Sequence, residues 1–94
     1  MNITDVKVFV RNNKQLKAFA NIVIDDAFIV KNLKLIEGKN GLFVAMPSRK
    51  NKIGEYQDVA HPINAETRIS IENIVIAKYN EVKDLEQEQV QEEL

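Results

Sequence analysis

A cluster of three cations in residues 48 to 52, Ser-Arg-Lys-Asn-Lys, is the part of this chain best suited to bind a ligand. A proline precedes the cluster and a glycine follows it at position 54, which predicts an exposed loop over residues 48–54. Arg49 can form two hydrogen bonds with a phosphate or a guanine edge, whereas Lys50 and Lys52 act as point charges. We therefore expect these residues, with Ser48, to contact nucleic-acid phosphates. Composition alone leaves a second interpretation open, in which the charges only keep a solvated turn soluble.

A second basic cluster lies in the first predicted hairpin and comprises Arg11, Lys14 and Lys17. It is the weaker candidate for nucleic-acid contact, because cations at a sheet edge also prevent unwanted strand pairing. Phe9 and Phe19 lie beside cations, so they could stack on the bases of a single strand. Contact with a helix or with a second copy is the more common role of such phenylalanines, and the sequence leaves both roles open.

No set of residues has the composition of an active site. His61 is the only histidine and there is no cysteine, so a metal site would need carboxylates for all its other ligands. Asp25 and Asp26 are adjacent, and adjacent strand residues point to opposite faces, so we interpret them as a turn. We expect a protein that is not an enzyme, that needs no metal or cofactor, and in which His61 makes a structural hydrogen bond at the turn into Pro62.

The composition, 94 residues with 45% apolar and 29% charged, is that of one globular domain. No secretion signal is recognisable, and the longest apolar run is far below the ~20 residues of a membrane span. We therefore expect a cytoplasmic protein with no membrane contact and no small-molecule substrate. Residues 1–60 carry ten Lys and Arg against six Asp and Glu, whereas residues 61–94 carry three against eight. The net charge of −1 therefore does not exclude nucleic-acid binding, because the sign of the charge differs by region.

Alternating apolar and polar residues predict strands through the first part of the chain. Residues 6–11 and 16–24 both alternate in this way, and Asn12-Asn13-Lys14 between them favours a turn, so the two segments predict an antiparallel hairpin. A third strand is predicted to begin at Phe28 and to run on to Ile36.

A second hairpin is predicted around the turn Gly-Lys-Asn-Gly at residues 38–41, because its two glycines supply the backbone angles of a tight turn. The fourth strand, residues 42–46, is the least polar, so we expect it to be central or buried on both faces. Pro47 ends it, since proline lacks the N–H that a ladder requires. A fifth, polar strand over residues 55–60 is expected at an edge.

The apolar spacing changes after Pro62. Asn64 is a good helix N-cap and Glu66 complements the helix dipole, which favours a helix over residues 65–79. Several β-branched residues in this segment would also suit a strand. The acidic tail, residues 81–94, is expected either to extend the helix or to be disordered. On the helix, Ile71, Ile74, Val75 and Lys78 are expected on one face, which Ile69, Ile76 and Tyr79 broaden.

The region from about Ile3 to Tyr79 resembles the septation protein SpoVG family (stage V sporulation protein G). The resemblance is carried by Ile36-Glu37-Gly38, by Gly41-Leu42-Phe43-Val44-Ala45-Met46-Pro47-Ser48, by Gly54-Glu55 and by His61-Pro62-Ile63-Asn64. It implies a small bacterial regulator that binds DNA and RNA, usually as a dimer. It also implies that the basic pair after Met-Pro-Ser, here Arg49-Lys50, contacts nucleic acid, and it supports the helix after Pro62. Lys52 lies in a stretch that varies in the family.

We therefore expect an α+β fold in which a twisted five-stranded antiparallel sheet precedes a C-terminal helix, with a nucleic-acid-binding domain over residues 1–80. The expected function is that of a site-preferring DNA- and RNA-binding regulator of the sporulation and septation type. The alternative is a non-catalytic protein-interaction module that affects cell division. A small core and the apolar surface of Phe9, Phe19, Phe28 and the helix predict a symmetric homodimer with both basic loops on a common side.

Overall fold

A computed structural model describes residues 2–83 as a four-stranded sheet, a short hairpin and one helix. The strands β1 (Ile3–Asn13), β2 (Leu16–Ile24), β3 (Phe28–Gly38) and β4 (Gly41–Ala45) form one antiparallel sheet in the spatial order β1-β2-β3-β4. Strands β5 (Ser48–Lys50) and β6 (Tyr56–Asp58) pair only with each other, and α1 (Ala65–Val82) follows them. The predicted α+β class with a C-terminal helix is confirmed. Most of the predicted tail, residues 84–94, lies outside the described residues.

The fifth predicted strand forms, but it does not join the sheet. Residues 56–58 pair with residues 48–50 instead, so the main sheet has four strands rather than five. The prediction of a loop over residues 48–54 was therefore wrong for its first three residues, which are strand β5. Pro47 lies between β4 and β5. Because it has no N–H to donate to a neighbouring strand, it interrupts the strand there.

Strand β4 lies at an edge of the sheet, so the prediction that it is central or buried on both faces was wrong. Val44 is buried, whereas its neighbour Phe43 points to the opposite face and is exposed. This segment is apolar because Val44 and, just after the strand, Met46 enter the core, not because both faces of β4 are covered. The edge is partly occupied by the helix, since the backbone N–H of Val44 donates to the Glu72 carboxylate at 3.5 Å.

The tight turns between strands lie where the sequence predicts them. Asp25 and Asp26 adopt φ values of 52° and 53°, and the N–H of Ala27 donates to the carbonyl of Ile24 at 2.9 Å. This confirms that the two carboxylates belong to a turn. Gly41 has a φ of 117°, an angle that glycine adopts without strain, and it pairs with Gly38 across the predicted turn.

One face of the sheet packs against α1 and forms the core. The helix begins where the sequence predicts, since the Asn64 Oδ1 accepts a hydrogen bond from the N–H of Thr67 at 2.8 Å. Residues four apart lie along one side of a helix, and the side of α1 formed by Ile71, Val75 and Tyr79 packs against the sheet. No helix of residues 2–83 combines the length and apolarity needed to cross a bilayer. The core residues are Val8, Val10, Ala18, Ala20, Ile22, Leu33, Leu35, Val44, Met46, Ile71, Val75 and Tyr79.

The opposite face of the sheet, which we call the outer face, is not covered by the helix. The strand register aligns Phe9, Phe19, Lys34 and Ala45 in one row across β1, β2, β3 and β4. Side chains two residues apart on a strand share a face, so Lys7 and Arg11 lie on the same side as Phe9. Cations and aromatic rings are thus adjacent on the outer face.

Candidate nucleic-acid interface

The cations that were predicted to bind nucleic acid lie on the β5–β6 hairpin, residues 48–58, which we call the basic hairpin. Ser48 pairs with Asp58, Arg49 with Gln57 and Lys50 with Tyr56, and all six residues are exposed. Successive strand residues alternate, so Arg49 and Lys50 project to opposite faces of the hairpin. Lys52 lies in the turn at the tip and is also exposed. The hairpin therefore presents positive charge on both faces and at its end.

Asn51 holds the tip of the basic hairpin in one conformation. Its Oδ1 accepts hydrogen bonds from the N–H of Ile53 at 3.0 Å and from the N–H of Glu55 at 2.9 Å. Its own N–H donates to the Glu55 carbonyl at 2.8 Å, and Gly54, with a φ of 89°, donates to the Asn51 carbonyl at 3.1 Å. Sequence reasoning gave Asn51 no role. The detectable signal was an asparagine followed three residues later by a glycine, which is typical of a side-chain-stabilised turn.

Tyr56 is a second residue of the hairpin that sequence reasoning missed. The Lys50 Nζ lies 5.6 Å from the centre of its ring, within the range of a cation–π interaction. The ring is 69% exposed, so this contact lies in solvent rather than in a core. Tyr56 thus holds Lys50 along the hairpin surface while leaving much of the ring accessible.

The base of the basic hairpin is fixed by local hydrogen bonds. The N–H of Val59 donates to the carbonyl of Pro47 at 2.7 Å, which closes the hairpin below β5 and β6. The Nδ1–H of His61 donates to the carbonyl of Pro62 at 2.9 Å, which confirms the predicted hydrogen bond at this turn. Among residues 2–83 no three His, Asp or Glu side chains are grouped as metal ligands would be.

The second predicted cluster, Arg11, Lys14 and Lys17, lies at the other end of the sheet. It surrounds the β1–β2 turn, whereas the basic hairpin follows β4 at the end that carries the β2–β3 turn. The Lys17 Nζ lies 3.4 Å from the Glu37 carboxylate, and the Arg11 guanidinium lies 5.5 Å from the centre of the Phe19 ring. The fold therefore does not bring the two clusters together, and two cations of the second already have partners.

A comparison with known families decides the affiliation of this chain, because the SpoVG family model matches residues 1–81. The chain belongs to the SpoVG family. This confirms the resemblance inferred from the residues around Met46-Pro47-Ser48. The matched range contains the sheet, the basic hairpin and nearly all of α1, and it excludes most of the acidic tail.

Curated relatives carry the same affiliation. The chain is 51% identical over 79 residues to a Bdellovibrio bacteriovorus protein, covering 84% of this chain and 73% of the relative. A Myxococcus xanthus protein is 48% identical over 79 residues, covering 84% and 80%. A protein of Alkaliphilus oremlandii is 43% identical over 93 residues, covering 98% and 100%. All three carry the name "Putative septation protein SpoVG".

Proposed function

We propose that this SpoVG-family protein is a DNA- and RNA-binding regulator that contacts phosphates through the basic hairpin and prefers certain sites. The observation that carries the proposal is the presentation of Arg49, Lys50 and Lys52 on an exposed hairpin whose tip is fixed by Asn51. Binding costs less conformational entropy when the charged groups are already held in place.

The hairpin offers two kinds of phosphate contact. Arg49 provides a planar guanidinium that can bind a phosphate or a guanine edge with two hydrogen bonds, and a guanine contact would give site preference. Lys50 and Lys52 provide point charges that bind any backbone, which gives affinity without sequence information. Ser48 is the weakest of the four candidates, because its pairing partner Asp58 brings a negative charge to the base of the hairpin.

The test is a double substitution, Arg49→Ala with Lys50→Ala, measured by fluorescence anisotropy on duplex DNA and on RNA. We expect most of the binding to be lost, while circular dichroism stays unchanged because both side chains are exposed. The matched control is Lys39→Ala with Lys83→Ala, which also removes two exposed cations but at the β3–β4 turn and at the end of α1. Binding by the hairpin variant at the wild-type level would contradict the proposal.

We also propose a symmetric homodimer, and an apolar protrusion beside an apolar cavity supports it. Ile63 is 88% exposed and borders a cavity of about 390 Å³ between the core face of the sheet and the start of α1. Since a two-fold axis makes each copy contact the same patch of its partner, one Ile63 can enter the cavity of the other copy. Sedimentation equilibrium should give a dimer at micromolar concentration and a weaker one for Ile63→Ser. A wild-type monomer would contradict the proposal.

The second candidate function is a protein-interaction module that affects septation, as the names of the relatives suggest. Three exposed apolar residues on the hairpin and beside it favour this candidate: Ile53, Val59 and Ile63. Their exposure does not stabilise an isolated domain, whereas a partner protein could cover them. One measurement, the retardation of DNA and RNA by the wild-type protein, distinguishes the two functions. If the wild-type protein retards neither DNA nor RNA at low salt, the interaction module is the better description.

A further inference from the structure

An open cleft of about 630 Å³ lies between the base of the basic hairpin and the part of β3 that has no β4 partner, and it reaches Phe19 on the outer face. One wall of the cleft comes from β2 and β3 and the other from the segments that flank the hairpin. The wall residues with side chains able to contact a ligand are Phe19, Phe28, Lys31, Asn32, Lys34 and Ser48.

Two aromatic rings give the cleft an apolar surface. Phe28 pairs with Ile24, five residues along β2 from Phe19, and is 65% exposed, which is unusual for a phenylalanine in a strand. Phe19 is half-buried and is held by the Arg11 guanidinium, which lies 5.5 Å from the ring centre. Unstacked nucleobases bind such rings whatever their sequence, because every base has a π face.

Two cations stand beside these rings. Lys34 pairs directly with Phe19 across β2 and β3, and Lys31 lies at the β3 bulge. Both are exposed, and within residues 2–83 neither forms a salt bridge. Their charge is therefore available to a phosphate.

The position of Lys31 is set by its neighbour in the bulge. Asn32 has a φ of 68°, and its N–H donates to the Asn21 Oδ1 at 3.2 Å, which holds the strand in this shape. Among the acidic residues near the cleft, Asp25 and Asp26 lie at the turn before Phe28, Asp58 pairs with Ser48, and Glu37 lies 3.4 Å from the Lys17 Nζ. Lys31 and Lys34 lie between the two rings along β3, so a phosphate that joins two bases can reach them.

We propose that this cleft binds single-stranded nucleic acid, with one unstacked base against Phe28, another against Phe19 and the phosphates between them at Lys31 and Lys34. The proposal rests on the proposed function and names the class of nucleic acid that this second site takes. A duplex does not fit the same contacts, because its bases are stacked on one another and cannot reach the rings.

A second copy of the chain is a less suitable occupant of the cleft. A two-fold contact through the outer face would bring together two surfaces that both carry Lys7, Arg11 and Lys34. Like charges brought together and removed from water oppose association, whereas an anionic chain neutralises them. The two-fold contact that we propose through Ile63 would leave the outer face free.

The first experiment uses Phe28→Trp, which gives a single tryptophan that can be excited selectively, because the chain otherwise contains none. We expect oligothymidylate or oligouridylate to quench its emission, since a stacked base lies against the indole ring. A short DNA duplex at the same phosphate concentration should leave the emission unchanged. Equal quenching by the duplex, or none by the single strands that bind the protein, would overturn the proposal.

The second experiment uses a double variant that carries both Phe28→Ser and Lys34→Gln, and compares it with the wild-type protein. Affinity for the single strand should fall about tenfold, in the range found when one base–aromatic contact is removed. Affinity for the duplex should change less than twofold. The control Ile69→Ser with Lys39→Gln also removes one exposed apolar residue and one cation, away from the cleft, and should bind both ligands like wild type.

The outcomes separate this proposal from the proposed function. If the hairpin variant loses binding and the cleft variant keeps its single-strand affinity, the cleft proposal is wrong and the proposed function stands. If the wild-type protein binds no nucleic acid, the proposed function fails as well. If the wild-type protein sediments as a dimer and the cleft variant sediments as a monomer, the cleft is a contact between copies and the proposal is overturned.

Discussion

The Lys50 Nζ lies 5.6 Å from the centre of the Tyr56 ring, across the short ladder of the β5–β6 hairpin. The two residues are six positions apart in the sequence and are brought together only by strand pairing. A cation held over an exposed ring has fewer conformations to lose when it binds a phosphate. Tyr56 therefore restrains a lysine that we propose contacts phosphate.

Replacing Tyr56 with Ala should lower nucleic-acid affinity about two- to fivefold, since exposed cation–π contacts contribute roughly 0.5–1 kcal/mol. Tyr56→Phe keeps the ring and should bind like wild type. Fluorescence anisotropy with a labelled duplex measures both variants. An effect of Tyr56→Phe as large as that of Tyr56→Ala would mean that the hydroxyl, not the ring, makes the contact.

Removing Arg49 and Lys50 together should flatten the salt dependence of duplex binding by about two units of slope. Each phosphate contact releases about 0.9 counterion from B-form DNA, so two lost contacts reduce the slope by nearly that amount. Titrations at several salt concentrations give the slope directly. An unchanged slope with reduced affinity would show that these residues act through the fold rather than on phosphates.

Asn51→Ala should loosen the tip of the basic hairpin, because the N–H groups of Ile53 and Glu55 lose their shared acceptor. Hydrogen exchange at these two amides should become faster, and nucleic-acid affinity should fall although no cation is removed. Asn51→Asp retains the acceptor and should protect both amides. Its added negative charge should still weaken binding, so exchange and affinity separate the two effects. Unchanged exchange in Asn51→Ala would contradict the assigned role.

Asn64→Ala should lower the free energy of unfolding by about 1 kcal/mol, because the N–H of Thr67 loses its capping acceptor. Asn64→Ser keeps an acceptor and should cost much less. Urea denaturation followed by circular dichroism measures both variants. Nucleic-acid affinity should be unchanged in each, since the cap lies outside the basic hairpin, and a loss of binding in both would place the interface nearer to α1.

Local signals in the sequence were enough to predict most of the elements. The turns at Asp25-Asp26 and at residues 38–41 depend on backbone angles that a few residue types adopt, so they can be recognised without any tertiary contact. The same holds for the cap at Asn64, which acts on an N–H three residues away. The alternation of apolar and polar residues in β1 and β2 predicts one buried face, and that face is buried in the structure.

The pairing of β5 with β6 was not predictable in the same way. Residues 48–50 and 56–58 are polar and exposed, so they carry no periodic pattern that a buried face would impose. The edge position of β4 was missed for the opposite reason. Its apolar residues are compatible with burial on one face or on both, and only the order of strands decides between them.

By itself the sequence determined the α+β class, the helix start at Asn64, the family and the concentration of cations after Pro47, because each depends on residue types at short spacing. Tertiary structure decided where those cations point and what surrounds them. It separated the Arg11 cluster from the basic hairpin, placed Tyr56 across from Lys50 and opened a cleft beside Phe28. These relationships join residues from different strands, and the packing of the sheet, not the local preference of any residue, fixes the distances between strands.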